Sequence, residues 1–488
     1  MTNAPQNIIF VTVDSLRRDK LGCYGSKRGL TPNIDAFAGT CTLFDNAYSN
    51  GPNTPHAFPA ILAARDALMA PELGLFHAPL TLAEVLSDAG YTCVGINAAN
   101  PYLSGSLKYN RGFAEFFDFL PSGPEKTDQT PNTSDKDQSK NRVGKSFRSD
   151  VLTIPTRKLE EYVVSEENVR NKQQLEQHLP HFISKILHQL APGPFFLWIH
   201  FMDTHYPYVP SKNAQQQIGV KPFSLRETIA LNQRVRENMP LSPDLLKRTV
   251  ELYEAAVLQV DRQFGELVDY LQKKNVFSQS AIFFLADHGE EFMEHGDLQH
   301  KCKLYEELIH VPLLIKLPQQ QVTKRVQHLS SLLQLPPTVV SSVGLDSPFV
   351  YGSLNPDAAV SGRTPIVFAG ASYLHQKMPP VDGHIFKINS LPKVFCCRTD
   401  LLKLIYDTQE DRCTLFDLFQ DPSETINLAE KRTDFVEKLR RPLFDYSAIL
   451  EKMRIKARLE SVRQYLQPNE IGGCTDVKAK ETPEPFLR

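Results

Sequence analysis

The chain has no long apolar run. None of its hydrophobic segments approaches the ~18 residues that a membrane-spanning helix needs, so no membrane span is expected. No CxxC pair occurs among its eight cysteines, and Cys396 and Cys397 stand side by side. That distribution argues against a zinc knuckle and a small disulfide framework, and predicts reduced, mostly buried thiols. Neither charge is in excess: 54 Lys and Arg against 56 Asp and Glu leave a formal net charge of −2. Without a basic stripe interleaved with aromatics, nucleic-acid binding is not expected. The opening MTNAPQ carries no charged and apolar leader ahead of NIIFVTV, so no secretory signal is read there and a cytoplasmic location is the expectation. No GxGxxG follows that first apolar run, which speaks against a dinucleotide-dependent enzyme. No internal repeat is visible.

At 488 residues the chain exceeds the size at which one core stops growing, so a large domain plus a smaller one is expected. Short apolar, β-rich runs recur at 7–13, 92–97, 194–201, 281–286, 312–316 and 365–369, each bounded by turn residues. Between them lie helical stripes. One comprises Leu175, Leu179, Phe182, Ile183, Ile186, Leu187 and Leu190; another comprises Leu252, Tyr253, Ala256, Val257, Val260, Phe264, Leu267, Val268 and Leu271. Strands alternating with helices predict an α/β fold, a doubly wound and mainly parallel sheet covered on both faces. We divide the chain into a large domain at 1–384, a small α+β subdomain at 385–470 and a tail at 471–488. Residues 121–150 are polar and nearly free of large apolar groups, which predicts a flexible insertion. The subdomain starts with the strand-like KVFCCRT, LLKLIYD and CTLFDL and continues into a helix over 434–464.

Functional groups of an open parallel sheet gather at its carboxyl edge. Asp14 closes NIIFVTV, and Asp287 and His288 close AIFFLA. Singly, an Asp closing a strand is more often a turn or cap residue; two carboxylates with an imidazole at one edge suit a divalent ion such as Ca, Mg, Mn or Zn. Thr54 precedes Pro55 and reads as the N-cap of the following helix. The same geometry places a hydroxyl where helix amides attract a tetrahedral anion, and a metal beside it would make it nucleophilic. His200 stands at the end of PFFLWIHF with Asp203 and His205 after it, and Glu294, His295, His300, Lys301 and Lys303 follow the Asp287 strand. Facing one edge, such groups would form an anion and leaving-group pocket.

The segment NIIFVTVDSLRRDKLGCYGSKRGLTPNIDAFA resembles the opening of the sulfatases, a branch of the alkaline phosphatase superfamily. ADHGEEFMEHGD followed by LYEELIHVPLLIK resembles their second metal motif, and TLAEVLSDAGY and CTLFDLFQDPSETINLA resemble a middle helix and the C-terminal subdomain. The resemblance implies an alkaline phosphatase-like fold and a hydrolase of sulfate or phosphate esters using one divalent metal ion. It carries Asp14, Asp287 and His288 over as metal ligands, Thr54 as the nucleophile that also touches the metal, and His205 and His300 as contacts of the ester or its leaving group. The substrate so implied is a small-molecule, carbohydrate or lipid ester. The chain departs from the pattern too. Sulfatases mature a Cys or Ser of a CxPxR sequence to formylglycine, whereas here the stretch reads Thr54, Pro55, His56, Ala57, Phe58. No formylglycine is therefore expected. The family's paired aspartates become Asp14 and Ser15, the lysine of GKW has no counterpart in GINAANPYL, and His300 stands where a further lysine is aligned. A threonine beside an Asp and His metal site is similar to phosphodiesterases and to phosphoryl or phosphonate transferases of the superfamily. A reading of another class is a non-catalytic, sulfatase-like binding protein. The alcohol of the ester, the choice among metals and the oligomeric state stay open at this stage.

Overall fold

The computed structural model describes residues 6–120, 164–190, 193–354, 366–373 and 392–466. The insertion expected at 121–150 and the tail at 471–488 lie outside the described residues.

An eight-stranded sheet forms the centre of the molecule. In chain order its strands are β1 (Ile8–Val13), β2 (Thr42–Phe44), β3 (Thr92–Asn97), β4 (Glu115–Phe117), β5 (Phe195–Phe201), β6 (Ala281–Ala286), β7 (Leu313–Lys316) and β8 (Lys324–Val326). In space they run β8-β2-β7-β6-β1-β5-β3-β4. All pairings are parallel except those of β7, which lies antiparallel to both β6 and β2. Every residue of β1, β5 and β6 is buried, which explains why they read as unbroken apolar runs rather than alternating ones.

The helix α1 (Thr54–Ala63) is buried along its whole length. In α2 (Glu166–Leu190) every residue of the expected stripe from Leu175 to Leu190 is buried. The stripe of α3 (Pro243–Lys273) is buried as well, apart from Val268, which is only half-buried. No described helix is long and apolar enough to cross a membrane.

A second sheet is antiparallel, ordered β9 (Val367–Ser372), β10 (Lys393–Arg398), β11 (Leu402–Asp407) and β12 (Arg412–Asp417). The run at 365–369, read from sequence with the parallel strands, belongs here: Val367 to Ser372 pair with Arg398 to Lys393. A short run of small apolar residues carries no mark of the sheet it will join. The helix α4 (Thr433–Leu466) packs Leu439, Leu443 and Leu450 against Leu404 and Leu415. Cys396 and Cys397 alternate across β10, one entering each of two separate apolar clusters, as the two-residue period of a strand requires. All seven described cysteines are free thiols. Lys403 is fully buried, with its ammonium 3.1 Å from Glu306 Oε1 and 2.9 Å from Glu424 Oε1, and so ties the second sheet to the segment that precedes β7.

Candidate active site

β1 lies between β5 and β6, with Val13 paired to both Phe201 and Ala286. The residues that follow these strands therefore meet at one edge. Asp14 N–H donates to the Phe201 carbonyl at 2.9 Å, and Thr204 Oγ1 donates to the Asp14 carbonyl. The chain then turns sharply at Ser15, whose φ of 58° is left-handed, an unusual conformation for a residue with a Cβ. The turn is held on both sides: Ser15 N–H donates to Asp287 Oδ1 at 3.3 Å, Ser15 Oγ donates to Asp14 Oδ1 at 2.7 Å, and Tyr253 donates to the Ser15 carbonyl at 2.8 Å.

Asp14, Asp287 and His288 each present a ligand atom, and these atoms lie within 4.8 Å of one another. All three residues are completely buried. His288 Nδ1 is 2.8 Å from the Gly289 carbonyl, which accepts its proton and leaves Nε2 as a bare lone pair. That lone pair is 3.5 Å from Asp14 Oδ1 and 3.5 Å from Asp287 Oδ2. Asp287 Oδ2 is buried without a hydrogen-bond partner among the described residues. Burial and the neighbouring Asp14 charge push the Asp287 carboxyl well above its ordinary range. Burial would raise Asp14 too, but His205, His200 and His288 outweigh it and hold that carboxyl well below the usual range. Burial lowers the His288 imidazole to about 4, in keeping with a neutral ring. Two buried carboxylates, an orphaned oxygen and an unprotonated imidazole nitrogen form a donor set that suits a divalent cation.

Thr54 Oγ1 enters this group, 3.1 Å from Asp14 Oδ2 and 3.4 Å from His288 Nε2. The cap differs from expectation: Asn53 is the N-cap, with φ −151° and ψ 163°, and Thr54 is the first helical residue. The sequence TPH permits either register, because proline is accepted at the first or second helical position. The amides of His56 and Ala57 both donate to the Asn53 carbonyl, and Pro55 has none, so this helix end directs few donors at an anion. His56 is buried and fixed from both sides: its Nδ1 is 2.6 Å from Asn53 Oδ1, and its Nε2 accepts from Ser372 N at 3.1 Å. Burial lowers this imidazole to about 3, so the ring is neutral.

His205 and His300 also come to this edge. Their ring centroids are 5.0 Å apart, and that of His300 is 4.5 Å from that of His288. His300 Nδ1 is 2.9 Å from Glu290 Oε2, and Tyr208 donates to the other oxygen of Glu290 at 2.6 Å. Burial opposes charge on His300, but Glu290, Asp14 and Asp287 outweigh it and raise the imidazole above its ordinary value. His205, in contrast, is lowered to about 4 by burial. Its carbonyl accepts from Lys172 at 2.6 Å.

The remaining sequence candidates are engaged elsewhere. Asp203 accepts from Gln259 and Gln263, each at 2.7 Å. Glu294 pairs with Arg17, Lys301 with Asp297, and Lys303 with Glu291 and Asp297. His295 lies 2.7 Å from Glu307 and stacks on Tyr305. His200 does reach the site, with Nε2 3.4 Å from Asp14 Oδ2. Sequence reasoning missed Asn100 and Glu290. Asn100 Nδ2 is 2.8 Å from Asp14 Oδ2 and 3.4 Å from Thr54 Oγ1. The signal was present: Asn100 lies three residues beyond β3, at the same carboxyl edge as Asp14 and His200.

Known proteins are similar to this chain in sequence and in fold. The chain is 24% identical to human iduronate 2-sulfatase over 343 residues, which are 64% of this chain and 60% of that protein. It is 28% identical to arylsulfatase K of Bos taurus over 224 residues, 45% of this chain and 39% of that protein. The matches thus span less than two thirds of the length of these relatives. Among solved structures, a 2-O GAG sulfatase superposes with a TM-score of 0.64 at 18% identity, covering 92% of this chain and 93% of that one. The phosphonate monoester hydrolase of Agrobacterium radiobacter superposes with a TM-score of 0.61 at 17% identity, covering 93% and 96%. Both show the fold: a large, mainly parallel sheet with an antiparallel C-terminal sheet. The family model described as Sulfatase matches residues 6–345, well over half of the chain, and the protein belongs to the sulfatase family.

Proposed function

We propose that the chain is a metal-dependent hydrolase of a sulfate or phosphate ester, with Thr54 as nucleophile and a divalent ion held by Asp14, Asp287 and His288. The observation that carries this reading is the Thr54 hydroxyl, 3.1 Å from Asp14 Oδ2 and 3.4 Å from His288 Nε2, inside a ring of donors that contains the orphaned Oδ2 of Asp287. A divalent ion there supplies positive charge for the hydroxyl and for the ester oxygens.

The chain's own residues account for the rest. Thr54 Oγ loses its proton to solvent and bonds to the sulfur or phosphorus. The ester bond on the opposite side breaks, and its electron pair leaves with the alcohol oxygen. That oxygen takes a proton from His300, which Glu290 maintains in a form able to donate. Water then attacks the same centre, returning the Thr54 hydroxyl and releasing sulfate or phosphate, or, from a phosphodiester or phosphonate ester, a phosphate monoester or phosphonate. Ionised Glu290 fixes the ring as well as its charge, because Nδ1 is committed to it and Nε2 is left to face the site.

Threonine bears on the substrate. Formylglycine can expel sulfate through its hydrate, whereas a threonine ester has no such route, so water must displace it. Displacement at phosphorus is the easier reaction, which favours a phosphodiester or phosphonate ester as substrate. The alcohol is a small-molecule, carbohydrate or lipid group. The test is hydrolysis of nitrophenyl sulfate, nitrophenyl phosphate and bis-nitrophenyl phosphate by the full chain with Mg, Mn, Ca or Zn. Metal-dependent cleavage lost in Thr54→Ala supports the reading. Cleavage that is unchanged in Thr54→Ala refutes Thr54 as nucleophile, and no cleavage with no metal bound favours a non-catalytic binding role.

A further inference from the structure

We infer that Asn100 is the positioning residue of the nucleophile, an uncharged amide that aims the Thr54 hydroxyl and fixes the Asp14 carboxylate. The inference rests on the reading of Thr54 proposed above and adds a residue and a role to it.

Asn100 is 1% exposed, and every polar atom of it is used. Its N–H donates to Asn97 Oδ1 at 3.0 Å, and its carbonyl accepts from Asn97 Nδ2 at 2.8 Å. Its Oδ1 accepts from Tyr102 N–H at 2.9 Å, capping the short turn Pro101–Leu103. That last bond decides which way the amide faces. Flipped, the side chain would lose the Tyr102 donor and set its oxygen against the Asp14 carboxylate. The NH2 group is therefore the end that looks into the site.

One of its two protons goes to Asp14 Oδ2 at 2.8 Å. The other lies toward Thr54 Oγ1 and His200 Nε2, both at 3.4 Å. Thr54 Oγ1 is thus flanked by an acceptor, Asp14 Oδ2 at 3.1 Å, and a donor, Asn100. With that polarity the hydroxyl proton points at Asp14, and the Asn100 N–H stays behind to stabilise the oxygen as the proton leaves. An amide does this without adding charge beside Asp14. A lysine there would form an ion pair with the carboxylate and compete with a metal for it. An aspartate would repel it.

Full-length wild type, Asn100→Ala, Asn100→Asp and each Asn100 change combined with Thr54→Ala are compared by two readouts. One is cleavage of bis-nitrophenyl phosphate and nitrophenyl sulfate with saturating Mn, across pH. The other is Mn affinity by calorimetry on the chelated proteins. For Asn100→Ala we expect kcat to fall by about 10²–10³-fold, the cost of removing one donor from a developing oxyanion, with KM changed by less than roughly threefold, as for a contact that counts only in the transition state. Mn affinity should drop about 10–100-fold, as for loss of an outer partner of a metal-binding carboxylate. Asn100→Asp, the same shape without the donor, should not restore kcat. Neither change should cost further activity in the Thr54→Ala background, since residues acting as a unit do not add. Thr54-dependent cleavage with kcat and Mn affinity both unchanged in Asn100→Ala overturns this inference alone. Cleavage that persists in Thr54→Ala overturns the nucleophile, and with it the role given to Asn100.

Discussion

The sharpest prediction concerns Asp287. Its Oδ2 is buried and unpartnered, and its carboxyl is pushed well up by burial and by Asp14. Without a cation the pair is a cost. Asp287 has a folded pKa above the unfolded one, so its contribution is fully present below the ordinary 3.8 and is lost as pH rises through the raised value. A divalent ion bound only by the folded state reverses that loss. At 100 times its dissociation constant it stabilises by about 2.7 kcal/mol. For a unit of roughly 340 residues the unfolding entropy is near 0.7 kcal/mol per degree, so the melting temperature should rise by about 4 °C. Asp287→Asn removes one of the three proposed ligands; with affinity about 100-fold weaker at the same concentration, the gain is about 0.4 kcal/mol and the rise under about 1 °C. Meanwhile the chelated variant should melt no lower than chelated wild type at neutral pH, because a buried like-charge contact is gone. The assay is scanning calorimetry at pH 5 to 8, with chelator and then with Mn. Equal Mn-induced shifts in wild type and Asp287→Asn would refute the site, and a chelated variant several degrees below wild type would refute the electrostatics.

Two further outcomes concern the C-terminal unit. Asp66 accepts from Tyr446 of α4 and from Leu68 N–H at 2.9 Å, and burial raises its carboxyl from 3.8 to about 6. Stability should therefore fall by up to about 3 kcal/mol as pH rises from about 4 through 6, and Asp66→Asn should flatten that slope in urea unfolding curves; a slope identical to wild type would refute the assignment. Lys403→Met should destabilise by about 3–5 kcal/mol, since it leaves the Glu424 carboxylate buried without its counter-charge and takes from Glu306 the nearest of its cations. Adding Glu424→Gln should recover part of that loss, and an unfolding midpoint unmoved by Lys403→Met would refute the clamp.

Much of this architecture was legible because it rests on local pattern. β1, β5 and β6 are buried on both faces, so they read as apolar runs with Asp14, His200 and Asp287 at their carboxyl ends. The stripes of α2 and α3 follow the helical period along their length. Thr54, His205 and His300 were legible through the family's motifs rather than from periodicity. What escaped has a different cause. Asn100 makes side-chain bonds to residues 14 and 54; its place just beyond β3 put it at the right edge, but its residue type in NAANPYL reads equally as a turn asparagine. Glu290 reads as one more acid in DHGEEF until His300 and Tyr208 are seen on its two oxygens. The lysines after Asp287 misled for the opposite reason: their acidic partners lie within the same short loop, so a basic cluster on paper is a set of closed ion pairs in space. β9 could not be assigned to its sheet, because pairing with β10 is a matter of tertiary contact rather than of its own sequence.

The edge of the second sheet reaches the loop that carries Thr54. Ser372 N–H holds His56, Gly370 N–H donates to the Asn50 carbonyl at 2.9 Å, and Asn50 Nδ2 donates to the Phe368 carbonyl at 3.1 Å. Residues 50–56 are thus sewn to β9 on both sides of Thr54, although β9 begins 22 residues after the family match stops at 345. A chain cut between those points would keep Asp14, Asp287, His288 and the Thr54 hydroxyl, yet lose the bracket that locates that hydroxyl. The C-terminal sheet is in that sense the jig of the candidate site, setting where the Thr54 hydroxyl stands.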